Sequence, residues 1–334
     1  MKNAKNVLQL IVSLIIASGF LYFAFRGKDL SQLWDSLTQI HWIWFIILFF
    51  GGILSHYLRA WRWKYLLYPI KENIKVRNAF SAVMIGYLVN NVLPRVGELV
   101  RPYAIGKLEH VPKTAVFGTV VLERILDIIT FFFILMVVFF FYADSFATLF
   151  PTIASLEPLF LIGSIVMLII FVLMFFKADR FFSLLKKILS ILPKKFHARI
   201  DSLLDSFISG FAAAKNPTNF FVIAISSILI WSLYIALIYI PFFAYELTNL
   251  NFGAAAILMV ASSVAVALPT PNGLGTYHSF ASYTLTQLFK VNPITALSYA
   301  LYTHGVGFLA TTVVGLYFVV KDKIYIKDVQ KSEQ

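Results

Sequence analysis

Long apolar runs broken by short polar stretches make up most of this chain, and the runs are continuous, without period-two alternation. Runs of 18 or more apolar residues read as membrane-spanning helices, and their continuity argues against a β-barrel. Spans are read over Val7–Phe25, His41–Leu58, Pro112–Tyr142, Glu157–Phe176, Phe220–Tyr245 and Pro293–Val320. Trp42 and Trp44 suit an interfacial aromatic belt, and Arg26–Ile40 reads as an external loop. Two further apolar pieces are too short to cross. Ala79–Leu93 amounts to roughly 22 Å of helix against a hydrocarbon core of ~30 Å. It stops at Asn90-Asn91 and Pro94, with Leu99–Leu108 as its return arm. Phe252–Leu268 halts at Pro269-Thr270-Pro271-Asn272-Gly273-Leu274-Gly275 and returns as Thr276–Phe289. Non-helical backbone at membrane depth is tolerated only inside protein or against a wet cavity, so both pieces read as re-entrant hairpins.

The two broken regions share a pattern. Leu93-Pro94 closes one short helix and Leu268-Pro269 the other; a Gly-containing turn and a half-helix follow each. Val111-Pro112-Lys113-Thr114-Ala115 then opens a full span, as Asn292-Pro293-Ile294-Thr295-Ala296 opens another. Paired interrupted segments in two halves point to a transporter's midplane site. The expected fold is an all-α polytopic membrane protein, with about six full transmembrane helices and two opposed re-entrant hairpins in an inverted repeat. It forms a single integral membrane domain, 1–334, with repeat units over 78–142 and 252–320.

Composition supports this class: of 334 residues, 60% are hydrophobic and only 13% charged. The net charge of +12 could indicate nucleic acid, but the Lys and Arg cluster between apolar runs, as the positive-inside rule requires. No nucleic-acid partner is therefore assigned. Arg59, Arg62, Lys64, Lys71, Lys75 and Arg77 against Glu72 mark a cytoplasmic connector. Lys177–Lys215, with eight basic and three acidic residues, reads as a cytoplasmic interfacial amphipathic segment, 177–215, the alternative being a plain connector. Both termini then lie on the cytoplasmic side of a bacterial-type inner membrane. The first hairpin opens from the cytoplasm and the second from outside. The first apolar run lacks a small-residue cleavage site and reads as a retained helix. Cysteine is absent, which excludes disulfides and thiolate chemistry.

Candidate chemistry concentrates in the first repeat. Glu123 and Asp127 share a helix face, and Arg124 can pair with Asp127 at i,i+3. Arg124 lies roughly 13 Å into its span, where an isolated charge costs at least ~2.5–3.5 kcal/mol. These residues must face a cavity or each other, and a purely structural ion network is the competing reading. Arg95 and Arg101 carry the planar fork that suits a phosphate, and Glu98 between them could neutralise both. Asn90 and Asn91 end the apolar arm. In the second hairpin Asn272, Gly273 and Gly275 allow positive φ and close backbone approach. His278 and His304 stand singly on different helices without metal-ligand spacing, so helix-packing hydrogen bonds are expected and no metal is assigned. There is no P-loop, GxSxG or HExxH, and no cofactor or catalytic residue is assigned.

At these positions the chain resembles the flippase-like membrane family typified by the transmembrane region of lysylphosphatidylglycerol synthase. The first block is Asn91, Leu93-Pro94, Arg95, Gly97-Glu98, Arg101, then Glu123-Arg124 and Asp127. The second, Pro271-Asn272-Gly273-Leu274-Gly275, is similar to the family's Pro-Gly-Gly-x-Gly turn. It departs where Asn272 replaces a glycine, where His278 stands at a commonly acidic position, and where Thr303-His304 replaces a common arginine. In bifunctional relatives a soluble domain makes the aminoacylated lipid and the membrane region moves it. The chain stops soon after its last span, so the resemblance implies the translocating part without the synthase part, and no enzyme.

The expected function is to bind or translocate an amphipathic lipid with a phosphate-bearing headgroup: a phospholipid, an aminoacyl-phospholipid or a polyprenyl-phosphate-linked lipid. Arg95, Arg101 and Arg124 would contact the phosphate, and Glu98, Glu123 and Asp127 would orient them or meet a cationic headgroup. Asn90, Asn91, Asn272, Gly273, Gly275, His278 and His304 complete the candidate substrate site. The alternatives are a membrane-embedded transferase resembling phosphatidylglycerol lysyltransferase and a non-transporting scaffold. Membrane lipids are the expected partners, and a homo-oligomer or a separate soluble enzyme is compatible with the chain.

Overall fold

The computed structural model describes residues 2–149 and 217–324, with isolated positions between them (162, 163, 165, 166, 169 and 187). The expected span 157–176 and basic segment 177–215 lie, those positions apart, outside the described residues. Ten α-helices follow in order among them: α1 Lys2–Phe25, α2 Leu30–Thr38, α3 Trp42–Leu66, α4 Val76–Asn90, α5 Gly97–Glu109, α6 Lys113–Leu149, α7 Pro217–Ala244, α8 Phe252–Ala267, α9 Thr276–Gln287 and α10 Pro293–Asp322. A 3-10 turn, Pro271–Gly273, lies between α8 and α9. The protein is an all-α polytopic membrane protein. Helices α3, α6 as far as Tyr142, α7 and α10 are each long and apolar enough to cross a bilayer. Helix α6 breaks at Tyr142, whose φ of −137° and ψ of 33° leave the helical region.

The stretch expected as an external loop, 26–40, contains a helix. The chain turns through Gly27 (φ +70°) and starts α2, which lies 91° from α1, so the two form either one bent span or a span with an interfacial foot. Asp29 caps α2, its carboxylate accepting the N–H groups of Ser31 and Gln32. Trp34, Leu30 and Trp42 are largely exposed around this turn.

Both short helices pair with a return arm. Helix α4 has 15 residues and packs on α5, and α8 has 16 and packs on α9. In a bilayer, helix association depends on close packing, because lipid is as apolar as the side chains. Small residues supply that closeness here: a Cβ placed on Gly97 would fall on the carbonyl of Gly86. Asn90 Oδ1 accepts the Gly97 N–H at 2.7 Å and closes the first hairpin. Pro94 cannot donate to the ladder, and Arg95 adopts φ +63°, so neither arm propagates through the tip.

Among the described residues two large apolar clusters, and a small one of Ala24, Leu33 and Leu297, fill the interior. One gathers α3, α4, α5 and α6 around Trp63 and Met84. The other gathers α6, α7, α8, α9 and α10 around Tyr299 and Leu258. Helix α10 touches both hairpins, packing on α4 and on α9.

Candidate functional site

Helix α3 runs without a break from Trp42 through Leu66, and this corrects the reading of Arg59–Lys64 as part of a cytoplasmic connector. Arg59 and Arg62 are both buried and turn inward toward α6. Their spacing, i and i+3 with Trp63 beside them, puts all three on the face that meets α6. Glu123 and Asp127, four residues apart on α6, receive them.

Arg59 Nη1 donates to Glu123 Oε1 at 2.8 Å and to Asp127 Oδ2 at 3.0 Å, while Arg62 Nη2 reaches Asp127 Oδ1 at 2.6 Å. Arg101 Nη2 approaches from α5 and donates to Glu123 Oε2 at 2.6 Å, its guanidinium lying 4.3 Å from the Trp63 ring centroid. Cation–π contact of this kind helps hold an arginine away from water. Trp63 Nε1 in turn donates to Thr119 Oγ1. From α7, Tyr234 accepts a hydrogen bond from Arg59, and Ser227 accepts one from Arg62. Arginines of α3 and α5 thus converge on two carboxylates of α6, with α7 hydrogen-bonding the α3 pair, four helices in all.

Arg124 completes the cluster in a different way. Its Nη2 lies 3.4 Å from Glu123 Oε1, its Nη1 3.7 Å from Asp127 Oδ2, and its Nε 3.5 Å from Glu98 Oε1. The side chains of Arg124 and Glu98 remain about one-third exposed, at 35% and 36%, whereas Arg101 and Glu123 are sealed, at 4% and 0%. The Arg124–Glu98 pair is therefore the accessible edge of a buried network. Glu98 faces Arg124, not Arg95 and Arg101 as the sequence order had implied. Four guanidiniums meet three carboxylates, leaving one positive charge in excess. The Nε groups of Arg59, Arg62, Arg101 and Arg124 have no hydrogen-bond acceptor.

The hairpin tips converge on the middle of α10, whose 30 residues run from Pro293 to Asp322. Asn91 Nδ2 donates to Thr311 Oγ1 and Thr312 Oγ1, each at 3.0 Å. His304 Nε2 lies 2.9 Å from the Asn272 carbonyl, which can only accept, so Nε2 carries the proton. Arg95 crosses between the tips, donating to the Ala267 carbonyl at 2.6 Å. His278 Nδ1 accepts the Gly275 N–H at 3.1 Å, and its ring meets that of His304 edge-on at 4.6 Å. The two histidines thus act in local hydrogen bonding, and among the described residues no group of three or more His, Asp or Glu could hold a metal ion. Asn272, Gly273 and Gly275 all take positive φ, and a Cβ on Gly275 would strike the Ala17 carbonyl of α1.

The structure therefore divides the sequence candidates into three groups. Glu98, Arg101, Glu123, Arg124 and Asp127 join one ion network; Asn91, Arg95, Asn272 and His304 tie the hairpin tips to each other and to α10. Asn90, Gly273, Gly275 and His278 shape the turns. Arg59, Arg62, Ser227 and Tyr234 were not among the sequence candidates. For the two arginines a signal existed, an unbroken helical pattern from Leu58 to Leu66 with no glycine or proline to end it.

Comparison with known proteins agrees with this architecture. A UPF0104 membrane protein of Methanocaldococcus jannaschii, MJ1595, is 29% identical over 133 residues, covering 39% of this chain and 38% of that relative's length. The chain thus matches well under half of that relative. No solved structure matches significantly. The sequence profile of the lysylphosphatidylglycerol synthase TM region matches residues 10–315, nearly the whole chain, and spans every element of the ion network. This chain belongs to the lysylphosphatidylglycerol synthase transmembrane-region family.

Proposed function

We propose that the protein binds an amphipathic lipid through its phosphate-bearing headgroup and carries it across the bilayer without chemically altering it. The observation that carries this reading is the uneven satisfaction of the arginine cluster. Arg59, Arg62 and Arg101 are sealed against Glu123 and Asp127, while Arg124 stays one-third exposed and pairs loosely with Glu98. The surplus guanidinium sits at the exposed edge of the network, where an anion can reach it. A phosphate monoanion at Arg124 would neutralise the excess charge and gain a planar, charge-assisted contact.

The hairpins supply the rest. Return arms α5 and α9 both begin at the tips, so their positive N-terminal ends lie near the level of the α10 midpoint, where they favour an anionic group. Interrupted helices meeting at mid-span are the arrangement by which transporters build a site with two openings. The positive-inside distribution favours cytoplasmic termini and an inner membrane, with the first hairpin opening inward and the second outward. A lipid carrying both phosphate and amine would meet Arg124 and Glu98 together.

The test is mass spectrometry of lipids co-purifying with the wild type and with Arg124→Ala and Glu98→Gln, joined to a vesicle assay for a fluorescent phospholipid. Arg124 lies at the edge of the network, so Arg124→Ala should stay monodisperse yet lose both the retained phosphate lipid and the translocation. Wild-type rates from well-folded Arg124→Ala protein would overturn the proposal.

A further inference from the structure

A groove lies between the C-terminal half of α1 and α9, helices that carry no member of the arginine cluster. It encloses about 370 Å³ and is lined by Phe20, Phe23, Lys28, Phe280, Tyr283 and Gln287, among others. The volume falls within the ~300–1,000 Å³ typical of small-molecule sites. Its lining changes character along its length. Helix α9 runs outward from the hairpin tip, so Phe280 lies deep while Thr286 and Gln287 lie at the mouth, at the end where α1 turns through Gly27 into α2. Lys28 stands at that turn, and Phe20 lies roughly 7.5 Å down α1 from its last residue, Phe25.

The mouth can be placed relative to the membrane. Trp34 and Trp42 are 67% and 63% exposed beside the α1–α2 turn, and exposed tryptophans of a membrane protein concentrate at headgroup depth. Lys28 therefore lies at the level of lipid phosphates, and Phe20, Phe23 and Phe280 at the level of acyl chains. Lys28 is the one charged side chain in the lining, so the groove itself presents a positive charge at its mouth. The groove is also built. Ser279 Oγ donates to the Phe20 carbonyl at 2.7 Å, pinning α9 to α1, and the Phe20 and Phe280 rings meet at 6.2 Å on its wall.

We propose that this groove is a binding site for an anionic phospholipid, with the phosphate against Lys28 and one acyl chain lying between α1 and α9. The site is separate from the arginine cluster and does not depend on the function assigned to it. Its occupant wedges beside α9, the return arm of the second hairpin, and so supports that arm from the lipid side.

Photo-crosslinking tests this directly. The protein is placed in phosphatidylcholine nanodiscs containing a trace of phosphatidylglycerol or phosphatidylcholine with a diazirine on one acyl chain, and labelled peptides are mapped after illumination. The phosphatidylglycerol probe should label the segments around Phe20–Phe23 and Phe280–Tyr283 in preference to the phosphatidylcholine probe. Lys28→Gln, a change at a half-exposed side chain, should lower that labelling about fivefold, the effect of one basic contact to an anionic headgroup. Ala24→Trp, which fills the groove, should abolish it; if that variant fails to fold, Lys28→Gln decides alone. Arg124→Ala should leave groove labelling unchanged even where it empties the central site. Equal labelling by both probes, insensitivity to Lys28→Gln, or labelling no stronger than on the lipid-facing Phe50 would each overturn the proposal.

Discussion

Arg62 is entirely buried, and both of its terminal nitrogens are committed, one to Asp127 and one to Ser227. Removing one partner of a buried pair leaves the other charge stranded, which costs far more than the net worth of the pair. Arg62→Ala should accordingly destabilise the protein by about 3–5 kcal/mol. Fluorescence-detected thermal melting should show a large loss of midpoint, with a much smaller loss in Arg124→Ala. Similar losses in both variants would mean that Arg124 is as structural as Arg62. The acidic members of this network were visible in the sequence because Glu123, Arg124 and Asp127 interrupt an otherwise apolar helix. Arg59 and Arg62 were hidden for the opposite reason. They follow an apolar run at the place where positive charge is expected on topological grounds, so nothing in the local pattern demanded a buried role. Their need for carboxylates becomes apparent only once α3 is seen to continue past Leu58.

At the level of elements, the breaks were the most legible part of the chain. Asn91 with Pro94, and the stretch that opens at Pro269, forced both short helices to stop, and α4 and α8 end just before them, at Asn90 and Ala267. The 26–40 stretch was misread because a nine-residue helix with Leu33 buried and Trp34 exposed has too few apolar positions to stand out from a polar loop. Side-chain partners across the base of the first hairpin were equally invisible. Glu109 closes α5 by accepting from Lys71 Nζ at 2.7 Å, the Lys75 N–H at 3.0 Å and Asn78 Nδ2 at 2.8 Å. Burial alone would raise the Glu109 pKa, yet these contacts together hold it below its ordinary value of 4.5. A carboxyl depressed on folding stabilises the folded state fully above its unfolded pKa, and loses that contribution as pH falls through the folded value. Wild-type thermal stability should therefore drop below about pH 4.5. Glu109→Gln should be less stable at neutral pH and show a shallower acid-side decline, measurable by melting across pH 3–7. Parallel pH profiles for the two proteins would remove Glu109 from the account.

On the scale of the molecule, α10 connects the two halves: Asn91 holds it from one hairpin, Asn272 from the other, and Arg95 joins the tips directly. A displacement of either hairpin must therefore be accommodated by the same helix, which couples the two hairpins mechanically. The surplus charge of the arginine cluster adds an electrical consequence. If a lipid phosphate cancels that single positive charge, the loaded centre is neutral and its passage does not respond to the transmembrane potential. The empty centre keeps its charge, so any return movement through the full field would gain or lose ~2.3 kcal/mol per 100 mV. Imposing a potassium-diffusion potential of either sign on proteoliposomes should then alter multiple-turnover transport while leaving single-turnover transfer of preloaded lipid unchanged. With an uncharged lipid, loaded and empty centres would sense the voltage alike, and single-turnover transfer would respond to it as well. On the proposed reading, one guanidinium left at the edge of its network would make the recovery step, and not the loaded step, sensitive to the membrane potential.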